Sequence, residues 1–120
     1  MSTQSATEVP AQEGRWESVC STDRLTPNRG VAALVGGEEV AIFLLADGEL
    51  LAIDNLDPFS GASVLSRGIV GDVGGVPTVA SPVYKQRFDL RTGRCIEDET
   101  VTLRTWSVRV GVDSIEVALP

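Results

Sequence analysis

Apolar and polar residues alternate with a period near two along much of this chain, and no 3.6-residue apolar stripe lasts for three turns. The clearest alternation closes the sequence: Thr105–Val110 and Ile115–Leu119 each show one apolar and one wet face, as half-buried strands do. At the other end, Arg15–Cys20 predicts a short first strand with Trp16 and Val19 inward, and Thr26-Pro27-Asn28-Arg29-Gly30 is a dense turn signal. Val31–Val35 reads as a strand closing on Gly36-Gly37. Glu39–Ala46 is almost continuously apolar but too short for a helix, and it stops at Ala46-Asp47-Gly48, where Asp and Gly tolerate the positive φ of a hairpin turn. Glu49–Asp54 returns as its partner.

From Asn55 to Gly75 the pattern breaks. Gly and Asx density there predicts loops with at most one helical turn near Ala62–Ser66. Strand signals resume at Pro77–Ser81 and Gln86–Leu90, and Arg91-Thr92-Gly93-Arg94 turns the chain into Cys95-Ile96. No internal repeat is present. The predicted fold is all-β, a small sandwich or barrel of eight to ten short antiparallel strands carrying a loop subdomain.

The 120 residues suit one domain. Met1–Gly14 is polar, without the basic and apolar regions of a signal peptide, so a disordered tail over 1–14 and a domain over 15–120 are expected. No stretch approaches the roughly 18 apolar residues of a span, and the expected location is the cytoplasm. A net charge of −7 disfavours nucleic acid and anionic membrane as partners. The chain has no histidine, which excludes a Ser-His-Asp triad, a Cys-His dyad and any imidazole-ligated metal supplied by this chain alone. Cys20 and Cys95, 75 residues apart, match no metal-ligand spacing and read as small buried apolar side chains, with a disulfide or a reactive thiol as alternatives.

Other candidates for chemistry have ordinary readings. Gly68-x-x-Gly71-x-x-Gly74-Gly75 is followed by Pro77 and a β-branched run, not by the helix a phosphate cradle needs, and reads as a flexible hairpin or loop. Without histidine, a Ser81 nucleophile would need Lys85 as its base in a dry pocket. The carboxylates of Glu38-Glu39 and Glu97-Asp98-Glu99 fall at turns, where charge is solvated. Four of the ten cations, Lys85, Arg87, Arg91 and Arg94, lie within ten residues. Alternation puts Lys85, Arg87 and Asp89 on one strand face with Arg91 nearby. That is either a wet strand face or a positive docking patch on an acidic body.

Several motifs carry a resemblance. Ala52-Ile53-Asp54-Asn55, Asp57-Pro58-Phe59-Ser60-Gly61, Ser81-Pro82-Val83-Tyr84-Lys85-Gln86-Arg87-Phe88-Asp89-Leu90-Arg91-Thr92-Gly93-Arg94-Cys95 and Thr105-Trp106-Ser107-Val108-Arg109-Val110 together resemble a Rieske ferredoxin domain over about Arg15–Val117. In that family Cys-x-His and Cys-x-x-His hold a [2Fe–2S] cluster, two thiolates on one iron and two imidazoles on the other. The corresponding positions here are Asp57, Phe59, Ser81 and Tyr84, so all four ligand types are missing.

Asn55-x-Asp57-Pro58-Phe59-Ser60-Gly61-Ala62, Leu65-Ser66-Arg67-Gly68-Ile69-Val70-Gly71-Asp72 and Ser81-Pro82-x-x-Lys85-Gln86 narrow the resemblance to the small subunits of assimilatory NAD(P)H-dependent nitrite reductases. The resemblance implies an accessory chain without its own cofactor. It also implies a large catalytic nitrite reductase subunit as partner, carrying flavin, iron–sulfur and sirohaem and reducing nitrite to ammonium. Phe59, Leu65 and Tyr84 are expected to fill the space of the absent cluster. Phe59, Tyr84, Lys85, Arg87 and Arg91 are the expected partner-binding residues, aromatic and arginine side chains being common interface anchors. The alternative is a cluster-free Rieske-fold interaction module serving another oxidoreductase.

Overall fold

The computed structural model describes residues 15–119; the tail expected over 1–14 lies outside them, as does Pro120. The run Glu39–Ala46 is apolar on both faces because its strand lies between two others' layers. Strand β3 (Glu38–Leu44) is the inner strand of a four-stranded antiparallel sheet, flanked by β2 (Arg29–Val35) and by β4 (Leu50–Asp54), with β8 (Thr105–Trp106) beyond β4. On one face Ala41, Phe43 and Ile53 meet Val79, Phe88 and Leu90. On the other, Val40, Ile42 and Ala52 meet Ile115 and Val117. Successive strand residues point to opposite faces, so a strand covered on both sides loses its alternation.

The layer over the second face is the three-stranded sheet β1 (Trp16–Ser21), β10 (Ser114–Ala118) and β9 (Val108–Val110). Its register shifts between Ser18 and Cys20. The first strand is half-buried, as expected at Trp16 and Val19, and the Arg109 guanidinium stacks 3.9 Å from the Trp16 ring centroid. The layer over the first face is a second three-stranded sheet, β5 (Ile69–Val73), β6 (Val76–Ala80) and β7 (Arg87–Asp89). The all-β expectation stands, and the described residues form ten strands.

Three local expectations are corrected. Ile69–Val73, placed in a loop region whose glycine run reads as a hairpin or loop, is the first strand of a hairpin, paired along its whole length with β6. Its glycines lower strand propensity, but Gly74 and Gly75 both adopt positive φ, 59° and 91°, and this tight turn forces the pairing. The helical turn falls at Leu65–Arg67, where a single 3₁₀ turn buries Leu65. Thr105–Val110, read as one strand, divides at Ser107. Trp106 pairs with Ala52 in the central sheet while Val108 pairs with Val117 in the outer one, so the segment passes from one layer to the next.

Candidate functional site

Two short loops meet at one end of the molecule, and each is closed by a single residue. Asp57 closes the first: its N–H donates to the Ala62 carbonyl at 2.8 Å, and its own carbonyl accepts from the Gly61 N–H at 2.8 Å. Ser81 closes the second, its N–H donating to the Gln86 carbonyl at 2.9 Å and its carbonyl accepting from the Lys85 N–H at 3.0 Å. The backbone at Lys85 takes φ 70°, which this tight return requires. Both loops begin with an Asp-Pro or Ser-Pro dipeptide, a turn-initiating pair.

The two closing residues are bonded to each other. The Ser81 hydroxyl donates to Asp57 Oδ2 at 2.5 Å, and both side chains are fully buried. The network extends into both backbones: the Phe59 N–H donates to Asp57 Oδ1 at 2.9 Å and the Val83 N–H to Ser81 Oγ at 3.2 Å. Burial alone would push the Asp57 carboxyl up. The hydrogen bonds from Ser81, Phe59 and Ser60 outweigh it and hold the group below the ordinary range. Asn55, also buried, fastens the base of the first loop by accepting from the Ser66 N–H at 2.7 Å and donating to Glu39 at 3.2 Å.

The expected fillers divide. Leu65 is fully buried, and Phe59 packs on the core with its ring centroid 6.2 Å from that of Phe88. Tyr84 does not fill the interior. It is 60% exposed on the outside of the second loop, beside exposed Val83, because the loop returns to β7 through Lys85 and Gln86 with residues 82–85 outward. Leu56, on the first loop, is exposed as well.

The cationic cluster is less uniform than alternation implied. Lys85 sits in the turn and not on β7, with its amine 3.3 Å from the Pro82 carbonyl. Arg87 is engaged by Glu97, through its guanidinium at 2.7 Å and its N–H at 2.8 Å. Arg91, at the far end of β7, pairs with Glu49 at 2.7 Å beside a groove of about 530 Å³ floored by Leu50, Ala52 and Trp106. Arg104, on the same groove, is held by Glu38 and Asp54. The Ser81–Lys85 catalytic pair is not assembled, since the hydroxyl is committed to Asp57. Glu38 and Glu97 are likewise engaged by arginines, Glu38 sharing Arg104 with Asp54 and Glu97 pairing with Arg87. Cys20 and Cys95 are free thiols in different core clusters, Cys95 buried and Cys20 partly so, with burial pushing the Cys20 thiol up.

The pattern of the Rieske-like [2Fe-2S] domain family matches residues 15–118, nearly the whole described chain. The chain belongs to that family. Within this Rieske-like family it is 46% identical over 97 residues to the nitrite reductase (NADH) small subunit of Salmonella typhimurium, covering 80% of this chain and 90% of that one. The crystal structure of a putative NADH-dependent nitrite reductase small subunit from Mycobacterium tuberculosis superposes with a TM-score of 0.83 at 47% identity, covering 88% of this chain and 95% of that one. A nitrite reductase [NAD(P)H] large subunit of Klebsiella oxytoca is 43% identical over 102 residues; these are 84% of this chain and 11% of that longer protein.

The family description carries a [2Fe–2S] cluster, and the residues of this Rieske-like chain do not fit one. The positions that the sequence resemblance assigns to the thiolates hold Asp57 and Ser81, which are spent on each other. Those that would supply imidazoles hold a core-packed Phe59 and an outward Tyr84. Neither cysteine lies on these loops, and among the described residues no group of three or more His, Cys, Asp and Glu side chains is placed to hold a metal ion. Soft iron–sulfur centres need thiolate or imidazole donors, which this end of the domain lacks.

Sequence reasoning marked Asp57 and Ser81 as vacated ligand positions, and Ser81 also as a nucleophile needing Lys85, and missed their bond. The signal within reach was chemical: an acceptor and a hydroxyl donor at two positions that the resemblance already placed together.

Proposed function

We propose that this chain is the accessory small subunit of an NAD(P)H-dependent nitrite reductase and that it docks on the large catalytic subunit through its two-loop end. The flavin, iron–sulfur and sirohaem groups of the reaction, nitrite to ammonium, then belong to that partner, and the complex to the cytoplasm, where a pyridine nucleotide supplies the electrons. Among the described residues no helix is long and apolar enough to cross a membrane.

The observation that carries the reading is the clustering of Leu56, Val83 and Tyr84, all exposed, within three residues of the Asp57–Ser81 bond. Exposed apolar and aromatic side chains gathered on a rigid support are what an interface anchor requires. Phe59 backs this surface from within and Lys85 and Arg87 follow Tyr84 along the chain, whereas Arg91, expected among the partner-binding residues, lies at the far end of β7 with Glu49 and is left out of the proposed surface. The Klebsiella relative supports the choice of partner, because there a matching segment is part of a protein named as the large subunit.

Co-expression with the large subunit tests the reading. Wild-type chain co-purifies with it and raises NAD(P)H-dependent nitrite reduction, whereas Tyr84→Ala loses co-purification by about tenfold or more, the effect of removing an interface anchor. Unchanged assembly of the Tyr84→Ala chain, itself folded, sinks it.

A further inference from the structure

We infer that the buried Asp57–Ser81 hydrogen bond makes these two residues the positioning pair of the docking surface, locking two separate loops into one rigid face. The inference rests on the docking reading above and goes beyond it by naming what holds that surface in shape.

The argument is one of connectivity. Each loop is closed on itself through the backbone of its own first residue: residues 57–62 through Asp57, and residues 81–86 through Ser81. Each is therefore a compact unit. The first is seated on the body by Phe59 against Phe88 and by Asn55 at its base, but no backbone hydrogen bond ties it to the second, and compact surface loops of this kind can still shift against one another. The side chains of the same two residues remove that freedom. A continuous path runs from the Phe59 N–H to Asp57 Oδ1, from Asp57 Oδ2 to the Ser81 hydroxyl, and from Ser81 Oγ to the Val83 N–H. Its ends lie beside the exposed side chains: Leu56 precedes Asp57, and Val83 and Tyr84 follow Ser81 by two and three positions.

The chemistry suits a brace. A carboxylate accepting from a hydroxyl and an amide is stronger than a neutral pair, and water does not compete where both side chains are fully buried. Removing one partner leaves the other unpaired in the interior, which costs more than the bond itself contributes. The same two positions are those at which the family resemblance places two thiolates on one iron, so a shared proton stands where a shared metal would have joined the loops. Ordering two loops before association also lowers the entropy lost on binding.

The test combines amide hydrogen exchange on the full chain with affinity for the large subunit. In Ser81→Ala, the Phe59 and Val83 amides exchange about 10- to 100-fold faster, as expected for loss of a charge-assisted hydrogen bond, while Ile42 and Val79 in β3 and β6 keep wild-type rates. Affinity for the large subunit falls by about tenfold in step. Ser81→Thr, which keeps the hydroxyl, restores both readouts. Asp57→Asn, equal in size and retaining the Oδ1 acceptor, gives an intermediate effect on both and serves if Ser81→Ala does not fold.

Wild-type exchange at Phe59 and Val83 in both disruptive variants overturns the inference, as does undiminished affinity despite faster exchange. So does a Ser81→Thr chain no better than Ser81→Ala. Tyr84→Ala separates the two levels. If it binds normally, the docking reading itself is wrong; if it binds weakly while Ser81→Ala binds normally, only the positioning role fails.

Discussion

The Ser81 hydroxyl lies 2.5 Å from Asp57 Oδ2, across 24 positions of sequence and between two loops that share no strand pairing. A carboxylate fully buried in this way stays ionised only because donors surround it. The bond thus links the acid–base state of one residue to the order of a whole end of the molecule.

The first prediction is a pH dependence. The folded-state pKa of Asp57 lies below its ordinary value, so in the unfolded chain the group takes up a proton more readily. Its contribution to stability is therefore fully present above the ordinary carboxylate range and is lost as pH falls through the depressed folded value. Urea unfolding at a series of acid pH values reads this loss, and Asp57→Asn flattens it. An equally steep acid dependence in Asp57→Asn would assign the effect to other carboxylates.

Phe88 carries the junction between the central sheet and the β5–β7 layer, fully buried in one cluster with Phe43 and with its ring centroid 6.2 Å from that of Phe59. Truncation to Ala leaves a cavity that strands on either side cannot close, and the expected cost is about 3–5 kcal/mol. Denaturant titration measures it. A loss below about 1 kcal/mol would mean that the layer relaxes onto the core.

Trp106 is the hinge of the strand that changes sheets. Its indole N–H donates to Asp54 Oδ1 at 2.8 Å, and the Arg104 guanidinium stacks 4.3 Å from its ring centroid while bonding the same carboxylate. Asp54→Ala leaves a donor on a nearly buried side chain without its partner, for an expected loss of about 1–3 kcal/mol. Thermal unfolding followed by tryptophan fluorescence reports it, and Asp54→Asn retains an acceptor and recovers part of the loss.

Gly93 cannot carry a side chain. It adopts φ 81°, and a Cβ there would stand 2.0 Å from the Leu103 carbonyl oxygen, which accepts no compromise because the Leu103 N–H is itself bonded to the Gly93 carbonyl at 2.7 Å. Gly93→Ala is expected to destabilise the chain by about 1–3 kcal/mol or more through backbone displacement at this crossing. Comparison with Gly37→Ala, where φ is also positive but no atom lies within 4 Å, separates strain from collision.

Much of the fold was legible because strands announce themselves locally. Period-two alternation marked β10, and the short, nearly continuous apolar run of Glu39–Ala46 marked β3 as a strand, whose burial on both faces the structure then explains. Where local signals mislead, pairing prevailed: β5 reads as loop by its glycines yet is held by β6. The break at Ser107 left no trace in the pattern, since Trp106 and Val108 are both apolar and both inward and only their partners differ. At the candidate site, the missing ligand types were plain from residue identity, whereas the outward turn of Tyr84 followed from the closure of residues 81–86.

The sequence by itself determined the strand periods, the absence of any imidazole, and the two loops that open on Asp57-Pro58 and Ser81-Pro82. These are properties of neighbouring residues and of side-chain chemistry, readable without knowing where the chain goes. Only the tertiary structure decided that Asp57 meets Ser81, that Arg87 is spent on Glu97, and that Tyr84 faces outward. Contacts between distant segments depend on how three sheets stack and on which buried polar groups must then find a partner, and no local pattern encodes that choice.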